Sequence, residues 1–163
     1  MLDIGCGRGE LLEQLKLADI EASGVDSDAG MAARARAAGL DVTVGDAIAH
    51  LESLPPGSLG AITAIHVIEH LPAAALVRFF ELAHARLRPG GVLVAETINP
   101  HAVNALKTFW VDFTHQHPIF PEVAVVLADV AGFRRSFMWF PRGTGDAEAD
   151  RFQQDAYAVV ADV

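Results

Sequence analysis

Two groups of residues in this sequence have the types and the spacing to do chemistry. The first is a run of glycines, Gly5, Gly7 and Gly9, in "LDIGCGRGELL" (residues 2–12), with an acid, Asp3, inside the apolar stretch ahead of them. Glycines at alternate positions let a backbone turn sharply and approach a ligand with no Cβ in the way, and a helix that follows offers unpaired N–H groups. The spacing is not Gly-x-Gly-x-x-Gly, the pattern that closes on a dinucleotide pyrophosphate. A second acid, Asp26, lies 26 − 9 = 17 residues beyond the last glycine, near the offset of about 20 at which a carboxylate accepts hydrogen bonds from ribose hydroxyls. Together these residues ask for a nucleoside without a pyrophosphate. A nucleoside carrying an amino-acid tail satisfies them, its ammonium near Asp3 and its adenine edge near Asp46.

The second group consists of proton acceptors. "HVIEHLP" (66–72) puts His66, Glu69 and His70 at i, i+3 and i+4, and "ETINPHAVNALKTFWVDFTHQHPIFPE" (96–122) adds His115 and His117 in a segment rich in Asn, His, Trp and Phe. An acceptor hydroxyl needs a general base near neutral pH, and imidazole is the usual one. Plainer roles stand beside these. His115 and His117 can simply hydrogen-bond a long loop, Trp110 can pack within it, and Glu69-His70 can be the polar start of a helix, where the dipole favours negative charge. Asp46 after Gly45 can be an ordinary N-cap. His66, Glu69, His70 and a histidine from 115–117 could also hold a metal ion. The His-x-x-Glu-His string matches an inverted zinc-protease motif as well, but it falls at a strand end in a sheet that reads as nucleoside-binding.

The elements that must position these residues alternate between strand and helix. Strands are expected at 1–4, 21–25, 41–44, 59–65 and 92–97, then at 135–140 and 157–161. Helices are expected at 9–17, at 28–38 ending on Gly39, from Pro72 to "RPGG", and near 121–131 capped by Gly132. Such an order implies an α/β doubly wound, mostly parallel seven-stranded sheet with helices on both faces. Ligands of these sheets bind beyond the carboxyl ends of the strands. The polar residues fall there: Asp26 and Asp46, then His66, Glu69 and His70, then Glu96, Thr97 and Asn99.

Composition narrows the function. With 163 residues the chain reads as a single domain, 1–163, large enough to hold its own core, with an insertion at about 98–120. Twelve basic against twenty-one acidic residues give a net charge of −9, the wrong sign for binding a phosphate backbone, so no nucleic-acid partner is expected. No apolar run approaches the roughly 18 residues of a membrane span. The single cysteine, Cys6, excludes a disulfide framework and fits a cytoplasmic location. It reads as a small packed residue whose backbone borders the ligand. The chain opens with Met1 already at the first strand, and an N-terminal segment that commonly covers the ligand in this fold is expected to be missing.

The sequence resembles the class I, Rossmann-like S-adenosylmethionine-dependent methyltransferases. "LDIGCGRGELL" resembles their first motif, "GVDSD" (24–28) their ribose-binding acid, "VGDA" (44–47) their adenine-contacting segment, and "LRPGGVLVAE" (87–96) the turn and strand before their substrate region. The resemblance implies S-adenosylmethionine as cofactor and S-adenosylhomocysteine as product. It places Asp3, Gly5, Cys6, Gly7 and Gly9 at the methionine part, Asp26 and Ser27 at the ribose, Asp46 and Ala47 at the adenine, and Ile65 and His66 on the methyl-transfer side. The 96–122 segment further resembles the substrate region of methyltransferases found with bacterial surface-polysaccharide assembly. It keeps Glu96, Thr97, Asn99, Pro100, Asp112, Thr114, His115, Pro118, Pro121 and Glu122, with Phe113 where proline is usual. What this implies is O-methylation of a hydroxyl on a sugar or other small metabolite. His70 or His115 would be the base beside Glu69, with Asn99, Trp110 and Asp112 at the acceptor, a small molecule or glycan, and no resident metal. Two other functions remain open: metal-assisted methylation through His66, Glu69, His70 and His115, similar to the metal set of small-RNA 3′-end methyltransferases, and a cofactor-binding domain without catalytic activity.

Overall fold

The computed structural model describes residues 1–163 as one seven-stranded sheet with helices on both faces. In chain order the elements are β1 (Leu2–Ile4), α1 (Glu10–Leu17), β2 (Ser23–Asp26), α2 (Ala29–Ala37), β3 (Val42–Val44), α3 (Ala47–Ser53) and β4 (Leu59–Ile65). A single 3-10 turn, Ile68–His70, leads into α4 (Ala73–Arg86). Then follow β5 (Leu87–Ile98), α5 (Val103–Phe109), α6 (Pro121–Ala131), β6 (Arg135–Trp139), α7 (Ala147–Gln153) and β7 (Ala156–Asp162). The strand order is β3-β2-β1-β4-β5-β7-β6. The first five strands run parallel, and β7 lies antiparallel between β5 and β6.

The buried strands are apolar because both of their faces are covered. Leu2, Ile4, Ile62, Ala64, Leu93 and Ala95 form the central ladder, and α3, α4 and α6 pack over it through Leu51, Phe79, Phe80, Ala83, Ala124 and Ala128. A smaller cluster, Cys6, Leu12, Ala32, Ala35, Leu40 and Val42, holds α1 and α2. The order in which strands are laid down reverses at the parallel β1–β4 pair, with β2 and β3 on one side and β5 on the other. A crevice opens at such a switch point beyond the strand ends.

The expected elements form, and three short helices join them. The 98–120 insertion holds α5, and α3 and α7 cover stretches where no helix was expected. β5 also starts earlier than its apolar run, because Leu87 pairs with Leu59 before a register shift at Leu59/Ala61. One buried hydrogen bond fastens the insertion to the sheet: the Tyr157 hydroxyl on β7 donates to the Ile119 carbonyl at 2.9 Å, with Tyr157 fully buried. Tyr157→Phe leaves that carbonyl without its donor and should cost about 1–2 kcal/mol in urea unfolding, with the loss of order concentrated in the insertion as read by amide exchange.

Candidate active site

The glycine loop is held in shape from three directions. Gly5, Gly7 and Gly9 all have positive φ, at 66°, 55° and 88°, a region that side chains rarely adopt. A Cβ on Gly5 would collide with Val67 and one on Gly9 with Leu40, whereas Gly7 has open space around it. Gly5 and Gly9 are therefore fixed by packing, and Gly7 by its need for a left-handed turn. Its N–H donates to Asp26 Oδ2 at 2.7 Å, and the Asp28 N–H donates to Asp26 Oδ1 at 2.8 Å. The Asp26 carboxylate thus ties the β1–α1 loop to the β2–α2 loop. A carboxylate has about four lone-pair positions, so two remain for a ligand.

These loops wall a cleft of about 710 Å³, in the range of small-molecule sites. Gly5, Gly7, Asp26, Ser27, Asp46, Ala47, His66, His70 and Asp112 are among the residues that line it, with Val67, Leu71 and Thr114. Asp46 lines the cleft and also caps α3, accepting from the Ala49 N–H at 2.9 Å. Asp3 does not line the cleft. It is buried and accepts from the Thr63 hydroxyl at 2.7 Å. Cys6 is buried in the α1–α2 core, with burial and the Asp3 charge pushing its thiol up to about 11, as a packed residue requires. Ile65 and Gly9 also lie outside the cleft lining.

His66 ends β4 in the left-handed region, at φ 55°, an uncommon conformation for a residue with a side chain. This geometry brings its Nδ1 to 3.1 Å from Glu69 Oε1, with Nε2 3.8 Å from Glu96 Oε1. Glu69 is 1% exposed. Burial opposes its ionisation, but hydrogen bonding from His66 and its own backbone, with the nearby Thr97 hydroxyl, outweighs burial and holds the carboxyl below its ordinary value. In turn the hydrogen bond to Glu69 raises the His66 pKa. Since the carboxylate only accepts, Nδ1 donates and Nε2 of the neutral ring carries a free lone pair. A second cavity, about 300 Å³, is lined by His66, Ile98, Asn104, Ala105, Thr108, Arg142, Asp155 and Ala156. His66 is the residue that both cavities share.

Three expected acceptor residues separate. Asn99 is fully buried, and its amide donates to the Arg151 and Gln154 carbonyls, each at 2.8 Å, while its oxygen accepts from the His101 N–H. Its hydrogen-bonding groups are engaged within the chain, so it clamps the β5 end to α7 rather than meeting an acceptor. Trp110 is 63% exposed and lines neither cavity. Asp112 does reach the cleft and accepts from the Thr114 hydroxyl at 2.6 Å. His115 stands beside the site, its Nδ1 2.7 Å from the Phe109 carbonyl and its ring 4.6 Å from that of His70. Arg142 and Thr114 were not among the expected site residues. An Arg in the turn after β6 carries no motif, while Thr114 was visible in sequence as part of an Asp-x-Thr pair.

Residues 1–91 match a family model described as a methyltransferase domain. The chain belongs to the class I S-adenosylmethionine-dependent methyltransferases. It is similar to a ubiquinone biosynthesis O-methyltransferase of Paramagnetospirillum magneticum, 34% identical over 102 residues that make up 61% of this chain and 40% of that protein. One of the same description from Xanthomonas campestris is 30% identical over 105 residues, covering 61% and 43%. The chain therefore spans well under half the length of these curated relatives. Among solved structures, an S-adenosylmethionine-dependent methyltransferase from Archaeoglobus fulgidus superposes with a TM-score of 0.88 at 30% identity, over 99% of this chain and 85% of that one. The fold is also shared by a Haemonchus contortus phosphoethanolamine N-methyltransferase bound to S-adenosylhomocysteine, at 17% identity and TM-score 0.74, over 99% of this chain and 48% of that one. S-Adenosylmethionine is the cofactor of the family, and the polar groups of the larger cleft suit a nucleoside.

Burial pushes the Asp3 carboxyl up to about 6, against the Thr63 hydrogen bond and with help from the Asp26 charge. A carboxyl whose pKa is raised on folding costs stability once it must ionise: nothing below about pH 3.8, growing through about pH 6, and constant above. Asp3→Asn should therefore gain about 2–3 kcal/mol relative to the parent between pH 4 and pH 7.5 in urea unfolding.

Proposed function

We propose that this chain is an S-adenosylmethionine-dependent O-methyltransferase that acts on the hydroxyl of a small-molecule acceptor seated in the smaller cavity. The observation that carries this reading is that His66 lines both cavities, its Nδ1 held by a buried carboxylate so that Nε2 of the neutral ring keeps its lone pair. This moves the base from His70 or His115 to His66, with Glu69 as the residue that orients it.

The sulfonium is already a good leaving group, so the protein has to align the acceptor and exclude water. The acceptor oxygen forms a bond to the methyl carbon as the carbon–sulfur bond breaks. That electron pair returns to sulfur, giving S-adenosylhomocysteine, and the hydroxyl proton passes to His66 Nε2. Asp26 and Ser27 take the ribose, Asp46 and Ala47 the adenine, and Gly5 and Gly7 the methionine part.

The acceptor we favour is a sugar hydroxyl, in bacterial surface-polysaccharide assembly in the cytoplasm. The 96–122 sequence pattern supports the sugar, and so do the Asn104, Thr108, Asp155 and Arg142 side chains that offer hydrogen bonds around the cavity. The O-methyltransferase names of the relatives support an oxygen acceptor. The chain works as one domain, with 98–120 as its acceptor-selecting insertion.

Titration calorimetry with S-adenosylhomocysteine should give binding that Asp26→Ala weakens at least tenfold. Methyl transfer from labelled S-adenosylmethionine to a panel of glycosides and phenols should yield an O-methyl product. His66→Ala should lower kcat by about 10²–10⁴ while cofactor affinity changes less than threefold. Binding without turnover on any hydroxyl acceptor would leave the cofactor-binding domain without catalysis as the better description.

A further inference from the structure

Helix α7 buries a single side chain, and that side chain is a carboxylate, Asp150. Burying a charge is unfavourable unless hydrogen bonds replace its water. Asp150 Oδ1 accepts from the Thr144 amide at 2.9 Å and from the Thr144 hydroxyl at 3.1 Å, and Oδ2 accepts from the Gly145 amide at 3.1 Å. Gly143 lies so close that a Cβ on it would overlap the same carboxylate. At the other end of this segment Phe140 is buried, and its carbonyl accepts from the Gly143 N–H at 2.9 Å. The 140–143 turn is thus fastened at both ends, with the exposed Arg142 at its corner.

Arg142 lines the smaller cavity together with His66 and Asp155. Arg134, Arg135 and Arg151, the other arginines of this part of the chain, each stand against a carboxylate. The Arg142 guanidinium has no such partner within the chain, and neither does the Asp155 carboxylate, although the Asp155 backbone is fixed through its carbonyl, which accepts from the Asn99 N–H at 2.9 Å. Two opposite charges therefore line one cavity of about 300 Å³ without pairing with each other. Arg142 also acts on His66. The hydrogen bond to Glu69 raises the His66 pKa, while burial and the Arg142 charge work against it. In the transfer His66 gains a proton, so an uncompensated guanidinium in the same cavity weakens the base.

We propose that the acceptor is an acidic sugar, its carboxylate or phosphate group bound by Arg142 and its hydroxyls donating to Asp155. Its role as methyl acceptor rests on the O-methyl transfer proposed above; the binding of the anion does not. The planar guanidinium fork matches two oxygens of either anion. The net charge of −9 repels anions from the chain as a whole, so a site for one needs a local cation held in place, which is what the Asp150 clamp provides. A bound anion cancels the Arg142 charge and restores the strength of the base, whereas a neutral sugar leaves it weakened. Arg142 thereby selects the acceptor, and Asp150 is a positioning residue that acts through it.

The test is calorimetry on the full chain saturated with S-adenosylhomocysteine, using methyl glycosides of glucose, galactose and mannose, the corresponding uronates and the corresponding hexose phosphates. At least one acidic sugar should bind about tenfold to a hundredfold more tightly than its neutral counterpart, the range of charge-assisted hydrogen bonds, and whether the uronates or the phosphates do so identifies the anion. Arg142→Gln should abolish the preference, and Asp150→Asn should reduce it several-fold, a change in the acid-to-neutral ratio that a merely structural role would not produce. S-Adenosylhomocysteine binding by each variant verifies that it is folded. Equal or weaker binding of every acidic sugar overturns the proposal, as does a preference that survives Arg142→Gln. No methyl group moves in this measurement, so failure here leaves O-methyl transfer standing, and failure of transfer leaves the anion site intact.

Discussion

The Asp26 carboxylate organises the cofactor end of the molecule. Its two oxygens accept from the Gly7 and Asp28 amides, so one side chain sets the distance between the loops after β1 and β2. That acceptor holds Gly7 in its left-handed turn, and the loop in turn has Val67 and Leu40 packed where Cβ atoms would stand on Gly5 and Gly9. Val67 immediately follows His66. The position of the His66 imidazole is thus coupled, through one packing contact, to the glycine loop after β1.

His66 shows how strain and burial cooperate. Its left-handed backbone is an unfavourable state for a residue with a side chain, and its amide is held there by the Glu96 carbonyl at 2.9 Å. Glu69 carries the complementary cost, a carboxylate 1% exposed. Neither feature stabilises the fold by itself. Together they fix an imidazole with Nε2 directed away from its carboxylate, an arrangement whose cost is borne by the apolar core of β4, β5 and α4.

Much of this was legible in sequence because it follows from periodicity and punctuation. β4 at 59–65 and α6 at 121–131 fall where a continuous apolar run and the Gly132 stop require them. The helices α3, α5 and α7 were not legible. Each is only seven residues long and buries one or two side chains, too few to leave an amphipathic period. The glycines and acids that line the larger cleft were readable because a nucleoside site imposes fixed spacing on such residues. The acceptor side was not, because Asn99 looks the same in sequence whether it meets a sugar or three backbone groups. His66 differed from His70 only through a backbone angle that no pattern encodes.

The antiparallel placement of β7 between β5 and β6 has a consequence in time. β6 pairs with β7 and not with β5, so as the chain emerges during synthesis β6 has nothing to join until β7 has arrived. The larger cleft is walled by residues no later than Thr114, whereas the smaller cavity takes Arg142, Asp155 and Ala156. A nascent chain can therefore build the larger cleft well before the second cavity has walls, and the two cavities have different birth dates.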